Sequence, residues 1–191
     1  AYLTAYVSLV RRGSLKRGET LLVHGSTGGV GMAAVQLGKY LGAKVIATGT
    51  SEEKLKFTLD WGADHTVLTH KNNVVEFREE VKELTEGKGA DVIYDPVGGD
   101  VFDHSIRCIN WGGRLLIVGF ASGRIPQLPI NMALIKGFSV IGVRAGEYGR
   151  KDPIGGMENN QAIREICEKG HFDPHICKTF PLEEAKSAIQ F

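Results

Sequence analysis

The residues that invite a chemical reading are His24-Gly25-Ser26-Thr27-Gly28-Gly29-Val30-Gly31, where four glycines fall within seven positions between an apolar run and an amphipathic one. Gly25 lacks a Cβ and can turn tightly. Gly28 and Gly29 let the backbone come close to a bulky anion, and Gly31 lets a following helix lie near the preceding strand. A helix that opens at Gly28 points unpaired N–H groups and its positive dipole end at that anion. The pattern is G-x-x-G-G-x-G, and no Gly-Lys-Ser/Thr follows to make it a Walker loop. Between a strand and a helix, such glycines cradle a dinucleotide pyrophosphate.

The next strand ends in Thr48-Gly49-Thr50, with Ser51 and Lys54 soon after. A site for the unphosphorylated dinucleotide usually carries Asp or Glu about 20 residues past the first glycine, to accept from the ribose 2′-OH. Here no carboxylate stands there. Thr50 and Ser51 offer donors and Lys54 a positive charge, which suits a 2′-phosphate and predicts a preference for NADPH. The simpler reading is that Ser51 and Lys54 only start a helix, with Glu52 and Glu53 partly cancelling the lysine.

Other polar residues carry less. Cys167, His171, His175 and Cys177 spell C-x3-H-x3-H-x-C, but Gly170 and Pro174 cut through the run. His171 and His175 cannot then share a helical face, and no metal site is expected. Asp95, before Pro96, reads as a ribose contact or a turn former. His24 reads as a strand end rather than a cofactor contact. Trp61, Trp111, Tyr2 and Tyr6 read as packing residues. No G-x-S-x-G elbow suggests a hydrolase.

Alternating elements must position these residues. A helix is expected over Leu3–Leu15 and short strands over Thr20–His24 and Lys44–Thr48. Between these strands lies a helix from Gly28 to Leu41, with Val30, Ala34, Leu37 and Leu41 on one face. Ser51–Leu59 reads as a helix with Thr50 and Glu53 as a capping box. Strand HTVL follows, then a helix with Val74, Phe77, Val81 and Leu84 inward and Asn72 or Asn73 as cap. ADVIYD is a strand, Val101–Asn110 a helix and GRLLIVG a strand. Beyond it come a loop (RIPQLPIN), a helical piece (MALIKG), a strand (SVIGV) and a Gly-rich loop (GEYGRKDPIGGMENN). A helix over Ile154–Lys169, a late strand (PHICKTF) and a helix opening at Pro181 complete the pattern. Apolar strands alternating with helices predict an α/β fold: a doubly wound parallel sheet of Rossmann type, with helices on both faces.

Composition excludes other classes. The 191 residues are 42% hydrophobic and 24% charged with net charge +1, which fits one domain and shows no basic stripe for nucleic acid or an anionic membrane. No apolar run reaches the roughly 20 residues that span a bilayer. Three cysteines, with no C-x-x-C pair, point to a reducing compartment. The chain begins and ends inside helices, and so reads as a piece of something longer.

The runs "LLVHGSTGGVG", "QLGKYLGAKVIATGTSEEKL", "ADVIYDPVGGDVF" and "GGRLLIVGFASG" together resemble the zinc-independent quinone oxidoreductase branch of the medium-chain dehydrogenase/reductase superfamily. "FSVIGVRAGEYGRKDP" and "FPLEEAKSAI" are similar to its zeta-crystallin-related members. The resemblance implies that residues 1–191 are the NADP(H)-binding domain and that an N-terminal GroES-like catalytic domain lies outside the chain, which alone would be inactive. It implies hydride transfer from the nicotinamide to a quinone or activated alkene. An enoyl-thioester reductase and a non-catalytic NADPH-binding protein are the alternatives. Thr4 matches a threonine near the nicotinamide carboxamide. Gly28, Gly29, Val30 and Gly31 match the pyrophosphate loop, and Lys54 a lysine near the 2′-phosphate. Val97 and Gly98, with Gly119, Phe120 and Ala121, match loops at the crevice. The tyrosine often found by the 2′-phosphate is Thr69 here, with His70 beside it. The branch also implies a homodimer through the edge strand 139–143, and a cytoplasmic location with the mitochondrion open.

Overall fold

The computed structural model describes residues 1–69 and 74–191. Strands β1 (Thr20–Val23), β2 (Lys44–Gly49), β3 (His65–Leu68), β4 (Ala90–Asp95), β5 (Ile109–Ile117) and β6 (Ser139–Gly142) form one sheet in the order β3-β2-β1-β4-β5-β6. Each neighbouring pair is parallel. The expected doubly wound α/β architecture is therefore present. The chain runs outward from β1 through β2 and β3, then crosses to β4 on the other side. This puts the topological switch point between the carboxyl ends of β1 and β4, where ligands bind in open sheets.

Both sheet faces are covered, which is why the strands are apolar at nearly every position. Leu21, Val23, Val45, Ala47, Val92, Tyr94 and Leu116 pack on one face with Ala34 and Leu37 of α2 (Gly29–Tyr40). Leu22, Ile46, Ile93 and Leu115 pack on the other with Phe77 and Val81 of α4 (Val74–Leu84) and Phe102 of α5 (Gly99–Ser105). Alternate residues of each strand thus enter different cores, as the two-residue repeat of a strand requires. Arg114 of β5 ties the sheet to the turn that leads into β1. It donates to both Glu19 carboxylate oxygens at 2.9 and 2.6 Å and to Gly13 O at 2.8 Å.

Several local expectations are corrected. The first helix is α1 (Tyr2–Tyr6) followed by a π-helical stretch, Val7–Arg12, and stops short of Leu15. The helix α3 (Glu52–Asp60) is capped by Ser51, whose hydroxyl accepts from Lys54 N–H, so Thr50 and Glu53 do not form the box. α5 ends at Ser105 because β5 begins early, at Ile109, before a register shift against β4. MALIKG, up to its final glycine, lies in α6 (Ile130–Lys136), and the Gly-rich stretch after β6 is largely helical: α7 (Ala145–Lys151) and α8 (Pro153–Glu168). Its glycines allow close packing, since a Cβ on Gly156 would lie 2.8 Å from Gly149 Cα. PHICKTF forms no strand and runs as an irregular segment. Leu182–Glu184 is a 3₁₀ turn before α9 (Ala185–Gln190), with Pro181 preceding it. Trp111 is 75% exposed rather than packed in the core. His70, Asn72, Asn73 and the side chain of Val74 lie outside the described residues. Among the described residues no helix is long and apolar enough to cross a membrane.

Candidate functional site

The glycine loop leaves β1 at the switch point. His24 N–H donates to Tyr94 O at 3.0 Å, so the strand pairing reaches the loop's edge. Gly25 then takes φ +57°, a left-handed conformation, and Gly28 N–H folds back onto Gly25 O at 3.1 Å. Gly28 is the N-cap of α2, whose first intrahelical bond is Met32 N–H to Gly28 O at 2.8 Å. The N–H groups ahead of that bond point out of the helix end. Gly31 is the sterically critical member: a Cβ there would sit 2.2 Å from Gly25 O and 2.6 Å from Ser26 Cα. At Gly29 a Cβ would meet nothing within 4 Å. The loop is thus closed on its protein side and open on its outer side, a cradle that fits a pyrophosphate.

Beside it, Thr27, Gly28 and Gly29 share a cavity of about 320 Å³ with Lys54. Met32, Phe57 and Trp61 form its apolar side, and His175 and Cys177 its far edge. The segment carrying His175 is strapped across α1 and α2. Gln36 donates to Asp173 O at 2.7 Å, Tyr2 OH donates to Gln36 Oε1 at 2.7 Å, and the Tyr2 and Phe172 rings stack at 4.2 Å. His175 lies against Phe57 and Trp61, with ring centroids 5.3 and 5.9 Å away. Among the described residues no group of His, Cys, Asp or Glu is arranged to hold a metal ion.

At the end of β2, Thr50 is exposed and Ser51 half-buried. Ser51 Oγ accepts from Lys54 N–H at 3.4 Å, which leaves its own hydrogen free to donate. Thr69 is buried, and its N–H donates to Gly49 O at 2.8 Å. Thr4 lies half-buried on α1, its carbonyl accepting from Ser8 Oγ at 2.6 Å.

The loops after β4 and β5 interlock. Asp95 Oδ1 accepts from Val97 N–H at 2.8 Å and Gly98 N–H at 2.9 Å, so the turn reading holds for this residue. Burial pushes the Asp95 carboxyl above the usual carboxylate range, opposed by those two N–H groups. Ala121 N–H donates to Pro96 O, Ser122 N–H to Val97 O and Gly99 N–H to Arg124 O, at 3.0, 3.0 and 3.1 Å. A Cβ on Gly98 would approach Phe120 at 3.0 Å, and one on Gly25 would approach Val97 at 3.3 Å. Val97, Gly98, Gly119, Phe120 and Ala121 therefore form one wall of interlocked loops, of which Val97 meets the glycine loop. Gly28, Gly29 and Lys54 meet in the neighbouring cavity.

A buried polar network was not foreseen. His24 is fully buried, with Nδ1 2.8 Å from Thr48 Oγ1 and Nε2 2.8 Å from Ser105 Oγ. Burial holds its imidazole far below the ordinary range, at about 3. The available signal was two hydroxyl residues, Thr48 and Ser105, at positions whose neighbours are core residues.

Residues 29–162 match the family model described as zinc-binding dehydrogenase. A quinone oxidoreductase-like protein 2 homolog of Nematostella vectensis is 38% identical over 100% of this chain and 52% of its own length. The chain thus spans about half the length of such curated relatives. A mycobacterial protein solved in complex with NADPH superposes with TM-score 0.88 at 28% identity, covering 99% of this chain and 58% of that one. The CurK enoyl reductase does so with TM-score 0.85 at 25% identity, covering 99% and 55%. With the parallel sheet, the glycine cradle at its switch point and a family match over most of its length, the chain belongs to the zinc-binding dehydrogenase family, within the medium-chain dehydrogenase/reductase superfamily.

Proposed function

We propose that the chain is the cofactor domain of an NADPH-dependent oxidoreductase that delivers a hydride to a quinone or an activated alkene. One observation carries the reading. The lysine after β2 and the exposed glycines of the loop line a single cavity, and the end of β2 between them, Gly49-Thr50-Ser51, bears no carboxylate. An anion pair, pyrophosphate and 2′-phosphate, finds N–H donors at one end and an ammonium at the other. Glu52 and Glu53 are exposed and screened by solvent.

In this reading Gly28, Gly29, Val30 and Gly31 hold the pyrophosphate, and Thr50, Ser51 and Lys54 hold the 2′-phosphate. The wall of Val97, Gly98, Gly119, Phe120 and Ala121 orients the remainder of the cofactor toward Thr4. The bound nicotinamide supplies the hydride, and the protein supplies position and electrostatics. A GroES-like domain outside residues 1–191 covers the nicotinamide and excludes water. In the same reading the reaction needs no metal, and the protein works in the cytoplasm, with the mitochondrion as the alternative. Two copies pair through β6, the terminal strand of the sheet, where Val140 is exposed.

The likeness to an enoyl reductase favours, as a second reading, an enoyl-thioester acceptor. Steady-state NADPH oxidation by the full-length protein with a quinone and with an enoyl thioester separates the two. A protein that binds NADPH yet oxidises it with neither is a non-catalytic binder. The cofactor reading is tested by titrating NADPH and NADH calorimetrically into wild type and Lys54→Ala. A charge-assisted contact to one phosphate contributes about 1.5–3 kcal/mol, so NADPH weakens roughly tenfold or more while NADH is nearly unchanged. Equal affinities in the wild type, or equal losses in the variant, overturn it.

A further inference from the structure

We propose that Thr48 is a positioning residue that fixes the distance between the glycine loop and the 2′-phosphate end of the site, and so sets the preference between the two nucleotides. The inference rests on the cofactor reading above and adds a determinant that touches neither phosphate.

Thr48 is the buried residue through which the two halves of the site are joined. Its carbonyl accepts from Ser26 N–H at 3.0 Å and from Ser26 Oγ at 2.9 Å. Its hydroxyl meets His24 Nδ1 at 2.8 Å. His24 and Ser26 flank Gly25, the first residue of the glycine loop. Thr48 itself stands two residues before Thr50 and three before Ser51. Each side of the loop's first turn is therefore tied to the one residue that leads into the ribose end.

The direction of each hydrogen bond follows from counting hydrogens. Ser105 Oγ gives its hydrogen to Val101 O at 2.7 Å. His24 Nε2, 2.8 Å away, must then be the donor to Ser105. Neutral imidazole carries one N–H, so Nδ1 is the acceptor and Thr48 Oγ1 the donor. All four residues, His24, Ser26, Thr48 and Ser105, are buried to within 1%. Buried in this way, a satisfied network holds one geometry, because any shift leaves a polar atom without a partner. The Phe77 ring packs edge-on against His24, with ring centroids 5.4 Å apart.

The consequence for selectivity is geometric. Both nucleotides lay the adenosine ribose near the end of β2, but only NADPH adds charge-assisted contacts at Thr50, Ser51 and Lys54, so its affinity depends far more steeply on the separation of loop and strand end. Loosening Thr48 therefore weakens NADPH far more than NADH.

The experiment compares Thr48→Val, isosteric but without the hydroxyl, with Thr48→Ser, which restores it. Ser26→Ala, which removes one of the two donors to Thr48 O, serves if Thr48→Val does not fold. Dissociation constants for both nucleotides are measured calorimetrically on protein whose circular dichroism matches wild type. The expected result is a rise of fivefold or more in the NADPH constant for Thr48→Val and Ser26→Ala, a change under twofold for NADH, and recovery in Thr48→Ser. Equal weakening of both nucleotides marks Thr48 as merely structural and overturns the proposal, as does an unchanged NADPH constant in the folded variants. A wild type that binds neither nucleotide overturns the cofactor reading itself.

Discussion

Acidification tests the buried imidazole directly. His24 has an ordinary value of 6.5 and is held at about 3 in the folded protein by burial. The unfolded chain therefore binds a proton there below about pH 6.5 that the folded protein refuses. The stabilisation is complete above the unfolded value and is lost as pH falls toward 3. Integrating the difference in bound protons between pH 7 and pH 5 gives a loss of about 2 kcal/mol from this one residue. The assay is urea denaturation of wild type and His24→Gln at both pH values, with stability taken by linear extrapolation. His24→Gln is less stable at pH 7, because hydroxyls of the buried network lose a matched partner. Its deficit shrinks by about 2 kcal/mol at pH 5, because Gln binds no proton in either state. Carboxylates of both proteins cancel in this double difference. A deficit identical at the two pH values refutes the claim that His24 is neutral because it is buried.

Gly31→Ala forces a Cβ against the backbone of Gly25 and Ser26; it costs about 1–3 kcal/mol in thermal or urea unfolding and abolishes nucleotide binding. Arg114→Met removes the donor that holds Glu19 and the carbonyls of Gly13 and Ser14. A loss of about 1–3 kcal/mol is expected, with nucleotide affinity unchanged when binding is measured on the folded fraction. Val140→Pro at the free edge of β6 converts dimer to monomer in sedimentation velocity, and a sedimentation coefficient unchanged by the substitution counts against pairing there. Residues 1–191 alone show no NADPH oxidation with quinones, and turnover comparable to a complete relative refutes the need for a second domain.

The parallel sheet was legible because its information is local and repeated. Leu21, Leu22 and Val23, like Val45, Ile46 and Ala47, are apolar without alternation because each strand is buried on both faces. The loop from Gly25 to Gly31 was equally legible, since a left-handed φ at Gly25 and the absence of space at Gly31 leave glycine as the fitting residue. The tertiary structure decided what depends on distant partners. PHICKTF has strand propensity, yet a strand exists only where another offers its N–H and C=O groups; here His175 N–H donates to Met32 Sδ, and Asp173, just before the segment, is tied to Gln36. The glycines of residues 146–156 suggested a loop, yet close packing of α7 on α8 makes them helical. Thr48, Ser26, His24 and Ser105 are ordinary letters, the outermost two, His24 and Ser105, separated by 81 in sequence. Only the folding of β1, β2 and α5 against one another brings their polar atoms within hydrogen-bonding distance, and burial then makes that arrangement costly to change.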